Sequence, residues 1–316
     1  MPELPEVETV RRTLLPKLIN RTITAIEIIT PRQIYHPDPD TFRAELEGET
    51  FTGIDRRGKY LLLKLGQHTL VCHLRMSGHL YVTDRERPRD KHLHVLFHLA
   101  DGNELRYDDQ RKFGGFHLLG PQGEGAPPGL KNLGPEPLDE SWTWQDLQAQ
   151  LTNKRTSIKG ALLDQSILAG LGNIYVDEAL YGARIHPETL AGDLSPAQIE
   201  ELHGSIRQVL SRAVAKRGTT FSLYFDGDAQ EGDMYDELRV FDRTGLPCPT
   251  CGRPIQKLAV AGRGTHLCPT CQVPPPHAKA QPRRARPGRR GDTVSVAAEG
   301  PKTYGNTKRT HLKEKE

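Results

Sequence analysis

The sequence predicts an α+β protein, with an N-terminal β-sandwich flanked by helices followed by a helical domain and a small metal-binding module. Three observations carry this: a strand-rich first third, helical periodicity through residues 142–216, and two Cys-x-x-Cys pairs bracketing residues 252–267. At the N-terminus, MPELPEVETVRR places prolines and glutamates ahead of Val7, Val10, Leu14 and Leu18. That spacing predicts a helix over about residues 4–18, with Glu3, Glu6 and Glu8 complementing the positive end of its dipole. TITAIEII (22–29), KYLLLKL (59–65), HTLVCHL (68–74) and HLYVT (79–83) then read as strands. HLHVLFHL (92–99) and NELRYDD (103–109) read as a hairpin turning at Asp101-Gly102. GPQGEGAPPG (120–129) is a loop, and LGPEPL (133–138) connects to the helical region. There Ser195-Pro196 marks the start of the last helix, and Leu168-Ala-Gly-Leu-Gly-Asn173 makes a tight turn between two others. The expected domains are 1–132, 133–239 and 240–272, with a proline- and arginine-rich tail over 273–316 that reads as disordered.

The 316-residue length suits roughly two domains of about 150 residues. No apolar run approaches the ~18 residues that span a bilayer. The N-terminus lacks a basic segment followed by an apolar one, so no secretory signal is expected and a cytoplasmic protein is. Of the five cysteines, Cys248, Cys251, Cys268 and Cys271 form two knuckles with sixteen residues between them. In a cytosolic chain that spacing points to a tetrahedral zinc site rather than to disulfides. Cys72 sits in an apolar strand and reads as a core residue. The net charge of +3 is uneven, because residues 273–316 hold eleven Lys/Arg against four Asp/Glu. The tail therefore suggests an anionic partner such as nucleic acid, whereas the net-acidic body would need a focused basic groove to bind one.

Several separated motifs then agree in order. MPELPEVETVRR, RRGKYLLLKL, HLRMSGHL, YDDQRKFG, LGPEPL, GLGNIYVDEAL and GRGTHLCPTCQ resemble formamidopyrimidine-DNA glycosylase, the bacterial enzyme that removes oxidised purines from DNA. The likeness runs from residue 1 to about 272. It implies a helix-two-turn-helix motif in the helical domain, a zinc-finger β-hairpin after it, damaged duplex DNA as partner, one structural zinc per chain and a monomer. It also implies glycosylase and abasic-site lyase activities on one chain.

The resemblance gives the N-terminal proline a purpose. Once Met1 is trimmed, Pro2 would attack the sugar C1′ through its amine. An α-amino group has a pKa of roughly 7.7–8.0 against about 10.4 for lysine, so a neutral amine is available near neutrality. A secondary amine still forms an iminium. Glu3 would handle protons at the sugar, Lys59 would assist proton transfer from a β-hairpin, and Arg263 at the zinc-hairpin tip would act at the departing 5′-phosphate. Because its guanidinium stays charged, an electrostatic role suits Arg263. Met76, Arg111 and Phe113 match residues that fill the void left by an extruded base, a flip that costs a few kcal/mol. His73, His92, Lys154, Lys159 and Asn173 match phosphate contacts, with the glycine turn before Asn173 offering amides to a phosphate. The segment from Arg217 to Ser222 would start a loop over the flipped base. Arg75 departs from the pattern, since many relatives carry glycine there.

Two rivals compete with this reading. Endonuclease VIII shares the fold but prefers oxidised pyrimidines; LPEVETVRR and the Met76/Arg111/Phe113 set favour the purine enzyme. A non-catalytic zinc-ribbon DNA-binding protein would explain the cysteines and the tail, yet would leave Pro2, Glu3 and Lys59 as coincidences.

Overall fold

The computed structural model describes residues 2–219 and 232–276. The tail beyond residue 276, expected to be disordered, and most of the segment expected over the flipped base lie outside the described residues. Helix α1 (Leu4–Leu18) forms over the expected span and buries Val7, Val10, Leu14 and Leu18. After it come β1 (Ile23–Ile28), β2 (Ile34–His36), α2 (Pro39–Leu46), β3 (Gly53–Arg57), β4 (Tyr60–Lys64), β5 (Thr69–His73), β6 (Gly78–Asp84), β7 (Leu93–Leu99), β8 (Asn103–Asp109) and β9 (Gly115–Leu119). One sheet has the order β1-β7-β8-β6 and the other β2-β9-β5-β4-β3. Pairing is antiparallel except between β2 and β9.

Both sheets, α1 and α2 contribute to one apolar core. At its centre Phe116 meets Phe97 at 5.6 Å and Tyr107 at 5.0 Å, edge to face. Each such ring is worth about 1.5–3 kcal/mol of burial. The sandwich and the hairpin at Asp101-Gly102 follow the sequence pattern. In the sandwich the elements without a sequence expectation are β2, β3, β9 and α2, all short; beyond it, the four-residue helix Pro128–Lys131 starts inside the stretch expected as a loop. β3 reads GIDRR, and only its pairing with β4 makes those polar residues a strand. α2 begins at Asp38, whose carboxylate accepts the amides of Asp40 and Thr41.

The helical part comprises α3 (Pro128–Lys131), α4 (Trp144–Leu151), α5 (Ile158–Leu163), α6 (Asn173–Gly182) and α7 (Pro196–Ala215), with its own core. As expected, α7 starts at Ser195-Pro196, where Ser195 and Gln198 cap one another reciprocally. α1 packs against both the sandwich and α7, which brings the N-terminus between the two cores. Last comes a hairpin of β10 (Gln256–Val260) and β11 (Arg263–Leu267). Its turn residues Ala261 and Gly262 have φ of 50° and 71°, the left-handed pair that a two-residue hairpin turn requires. Arg263 therefore leaves the tip directly.

Candidate functional site

Glu3 is the N-cap of α1, yet its carboxylate serves another helix. Its oxygens accept the amides of Gly172 at 2.7 Å, Ile174 at 3.0 Å and Tyr175 at 3.4 Å, at the start of α6. The amide of Leu4 donates to the carbonyl of Gly170 at 3.0 Å. The glycine turn expected to cradle a phosphate thus holds the protein's own N-terminal segment, which is a correction to the sequence reading. A helix start attracts an anion, and here Glu3 is that anion. Gly172 must be glycine, since a Cβ there would lie 2.4 Å from Glu3 Cδ.

Glu6 completes the mooring. Its carboxylate accepts the amides of Glu3 at 2.8 Å and Thr219 at 2.7 Å and a short bond from the Tyr175 hydroxyl. Burial raises Glu3 to about 7, opposed chiefly by the nearby Lys59 ammonium. Burial likewise lowers Lys59, against the attraction of Glu3 and Glu6. The result is a carboxyl poised near neutrality beside Pro2, which is itself buried.

Lys59 sits in the turn just before β4, next to Gly58, whose φ is 55°. LGPEPL sets that turn: Glu136 accepts the Gly58 amide at 2.6 Å and Arg57 at 3.0 Å, and Arg57 donates to the carbonyl of Gly134 at 2.6 Å. A cleft of about 880 Å³ is lined by Glu3, Lys59, Met76, Phe113, Asn173 and Arg263, among others. Six residues named from sequence thus share one cavity, contributed by α1, the β3–β4 hairpin, two sandwich loops, α6 and the zinc hairpin.

Met76 and Phe113 are 42% and 53% exposed, and both line the cleft wall. Arg111 joins them, donating to Met76 Sδ and lying 5.0 Å from the Phe113 ring. Their loops share one anchor. The buried carboxylate of Asp109 accepts Ser77 Oγ and the amides of Arg111 and Gly114. Nothing in the sequence distinguished Asp109 from its neighbour Asp108. Arg75 adopts φ of 53°, which explains why glycine suits this position, and its amide donates to His73 Nδ1 at 2.9 Å.

His73 is held well below its usual pKa, to about 3, by burial and by the positive charges of Arg75 and Lys59. A neutral ring that accepts at Nδ1 carries its proton on Nε2 and is a donor there. It lines a second cavity of about 610 Å³ with Tyr60, Lys59 and Arg75. Asn173 Nδ2 donates to the carbonyl of Gly264 at 2.9 Å. His92 is half-buried and Lys154 exposed, and neither lines the two cavities. Lys159 departs from expectation. It is 0% exposed and ion-paired with Asp177 at 2.6 Å, so its ammonium is spent inside the protein rather than offered to a phosphate.

The thiol sulfurs of Cys248, Cys251, Cys268 and Cys271 all lie within 4.8 Å of one another. Zn–S bonds of about 2.3 Å in a tetrahedron require S···S edges of roughly 3.8 Å. The separations of 3.9 Å for Cys248–Cys271 and 3.4 Å for Cys251–Cys268 fit that cage. Four thiolates close the coordination shell, so the zinc is structural. The module is bolted to α6. Glu178 accepts the amides of Arg239, Val240 and Phe241, and Tyr181 bonds Thr250 at 2.6 Å. Asn173, Asp177 and Tyr181 recur every four residues, so one helix face carries these contacts.

Comparison with known proteins agrees with this geometry. Residues 1–116 match the formamidopyrimidine-DNA glycosylase N-terminal domain, 133–224 its H2TH domain, and 245–273 the zinc finger found in FPG and IleRS. The formamidopyrimidine-DNA glycosylase of Symbiobacterium thermophilum is 68% identical over 304 residues, covering 96% of this chain and all of that protein. That of Desulforamulus reducens is 47% identical, over 86% of this chain and 99% of that one. A structure of wild-type Lactococcus lactis Fpg with N7-benzyl-Fapy-dG DNA superposes with a TM-score of 0.80 at 42% identity, covering 86% of this chain and 100% of that chain. The same enzyme with abasic-site DNA gives 0.79 at 42% identity, over 85% and 99%. With its three domain models matched in order and the cleft assembled between them, this chain belongs to the formamidopyrimidine-DNA glycosylase family.

Proposed function

We propose that this protein is a bifunctional DNA glycosylase and abasic-site lyase that excises oxidised purines, 8-oxoguanine and formamidopyrimidines, from duplex DNA. The observation that carries the reading is the convergence of Glu3, Lys59, Asn173 and Arg263 on one cleft beside Pro2, with exposed Met76 and Phe113 on its wall. In this mechanism the Pro2 lone pair forms a bond to C1′ while the glycosidic bond breaks; the base departs with the electrons of the glycosidic bond and takes up the proton that the Pro2 nitrogen gives up. Protonated Glu3 gives its proton to the ring oxygen as the C1′–O4′ bond opens, which leaves an iminium. Loss of a proton from C2′ expels the 3′-phosphate. Loss of a proton from C4′ then breaks the C5′–O bond and expels the 5′-phosphate. Lys59 assists the first elimination, and Arg263 balances the charge that grows on the phosphate in the second.

Met76, Arg111 and Phe113 fill the void left by the extruded base, with Arg111 facing the orphaned partner. His73, Asn173, His92 and Lys154 bind the backbone. Within this reading the enzyme acts as a monomer beside the chromosome in the bacterial cytoplasm; no described helix is long and apolar enough to cross a membrane. Borohydride trapping tests the reading. An 8-oxoguanine duplex should yield a covalent adduct, which Pro2→Gly or retention of Met1 should abolish without unfolding the protein. Full trapping by a Met1-retaining protein would overturn the role of Pro2. Faster processing of a thymine-glycol duplex than of 8-oxoguanine would move the protein to the pyrimidine-specific branch.

A further inference from the structure

Zinc fixes the base of the β10–β11 hairpin, but Arg263 stands at its tip. Arg263 lies five positions before Cys268, roughly 16 Å at ~3.3 Å per residue of strand. A two-stranded ribbon clamped only at its base leaves its tip free to swing. Halfway along, β11 meets a buried charge pair, Lys159 of α5 with Asp177 of α6, in place of the phosphate contact expected of Lys159. Asp177 and Lys159 are both 0% exposed. Lys159 Nζ bonds Asp177 Oδ1 at 2.6 Å and donates to the carbonyl of Gly264 at 3.2 Å. The other carboxylate oxygen of Asp177 accepts the amide of His266 at 2.8 Å. The pair therefore grips the backbone of β11 on both sides of Thr265, next to Arg263.

We propose that Asp177, acting through Lys159 and the His266 amide, is a positioning residue that aims Arg263 at the departing 5′-phosphate. The inference rests on the role given to Arg263 above. Stability alone does not account for the pair. A buried ion pair is often matched or bettered by apolar residues of similar volume, because its Coulomb energy is spent on desolvation. Apolar residues would fill the same space but could not hold the His266 amide, and would leave the Gly264 carbonyl to Asn173 alone. Of the two functions, only backbone registration needs the charges.

The test uses the full-length, zinc-loaded enzyme on abasic-site duplex and reads the partition between β-elimination and β,δ-elimination products. This ratio does not depend on the fraction of active protein. Asp177→Asn should leave borohydride trapping near wild type while the second elimination slows roughly ten- to a hundredfold, the range expected for a misplaced group. The product then accumulates at the first cut. If that single variant misfolds or loses zinc, the paired replacement Lys159→Met/Asp177→Leu decides, because it removes both charges together. A folded, zinc-replete double variant that stalls after the first cut supports the proposal; one with wild-type partition overturns it, as does an Asp177→Asn enzyme with wild-type partition. Arg263→Ala serves as the reference. Should it too leave the partition unchanged, the role of Arg263 fails and the inference falls with it. If Arg263→Ala stalls and the Asp177 variants do not, only the inference fails.

Discussion

Glu3 is a fastening whose pKa also suits it to give up a proton near neutrality. Three amides and the Lys59 ammonium favour its charged form, but burial outweighs them and brings its pKa to about 7. Two consequences separate by pH. If protonated Glu3 assists ring opening, single-turnover excision should fall as pH rises through about 7, and Glu3→Gln should suppress excision while leaving damaged-DNA binding measurable. Unchanged excision in Glu3→Gln would remove Glu3 from the mechanism. The second consequence is for stability. A carboxyl whose folded pKa lies above its unfolded value of 4.5 stabilises the fold fully only below that value. The contribution is lost between pH 4.5 and about 7, and the cost above that window is ~3 kcal/mol at about 1.4 kcal/mol per unit. Thermal unfolding of Glu3→Gln should therefore show a larger gain over wild type at pH 8 than at pH 5. An equal difference at the two values would mean that Glu3 is not held near neutrality.

At the scale of elements, the β3–β4 hairpin, the two loops that carry Met76 and Phe113, and the zinc hairpin are each held by a carboxylate that does not line the cleft. Glu136 sets the first, Asp109 the second, and Asp177 with Glu178 the third. Carboxylates suit this work, since each offers several acceptor sites to backbone amides that would otherwise be buried unpaired. For the zinc hairpin the metal adds a separate constraint. Elemental analysis should find one zinc per chain, and Cys268→Ser should loosen the hairpin more than the sandwich, whose core shares no residue with it. Loss of strand cleavage would follow mainly because Arg263 is misplaced, so hydrogen exchange should rise over 245–272 before it rises over β4 and β5. Active protein without zinc would contradict this account.

For the whole molecule, we infer that excision is built within residues 1–272, whereas excess positive charge resides in 273–316. We infer that this tail adds non-specific affinity for DNA. Each phosphate it neutralises steepens log K against log salt by about 0.9. Truncation after Gln272 should flatten that slope and weaken binding to undamaged duplex at low salt, while single-turnover excision at saturating enzyme barely changes. A slope that does not move would mean that the tail leaves DNA alone. Gln272 is a suitable boundary in one further sense: it is buried, with its side chain bonded to the amide of Cys268 and the carbonyl of Ile185, so the cut must follow it.

The sequence by itself determined the α+β class, helix α1, the sandwich strands with strong alternation, the cysteine cage and the family, because each rests on local periodicity or on fixed spacing. Gly58 and Gly262 are glycines at positive φ in their turns, whereas Gly172 is demanded by the close approach of Glu3. Tertiary structure decided the partners of the buried charges. Glu3 meets an amide 169 positions away, Lys159 a carbonyl 105 away, and Asp177 an amide 89 away. No periodicity signals such meetings. By sequence Lys159 reads as a phosphate contact and Asp177 carries no signal of its own, and the amides before α6 look free for phosphate. A charged side chain is burdened by desolvation wherever it is buried, and only the folded chain shows which opposite charge or backbone group offsets that cost.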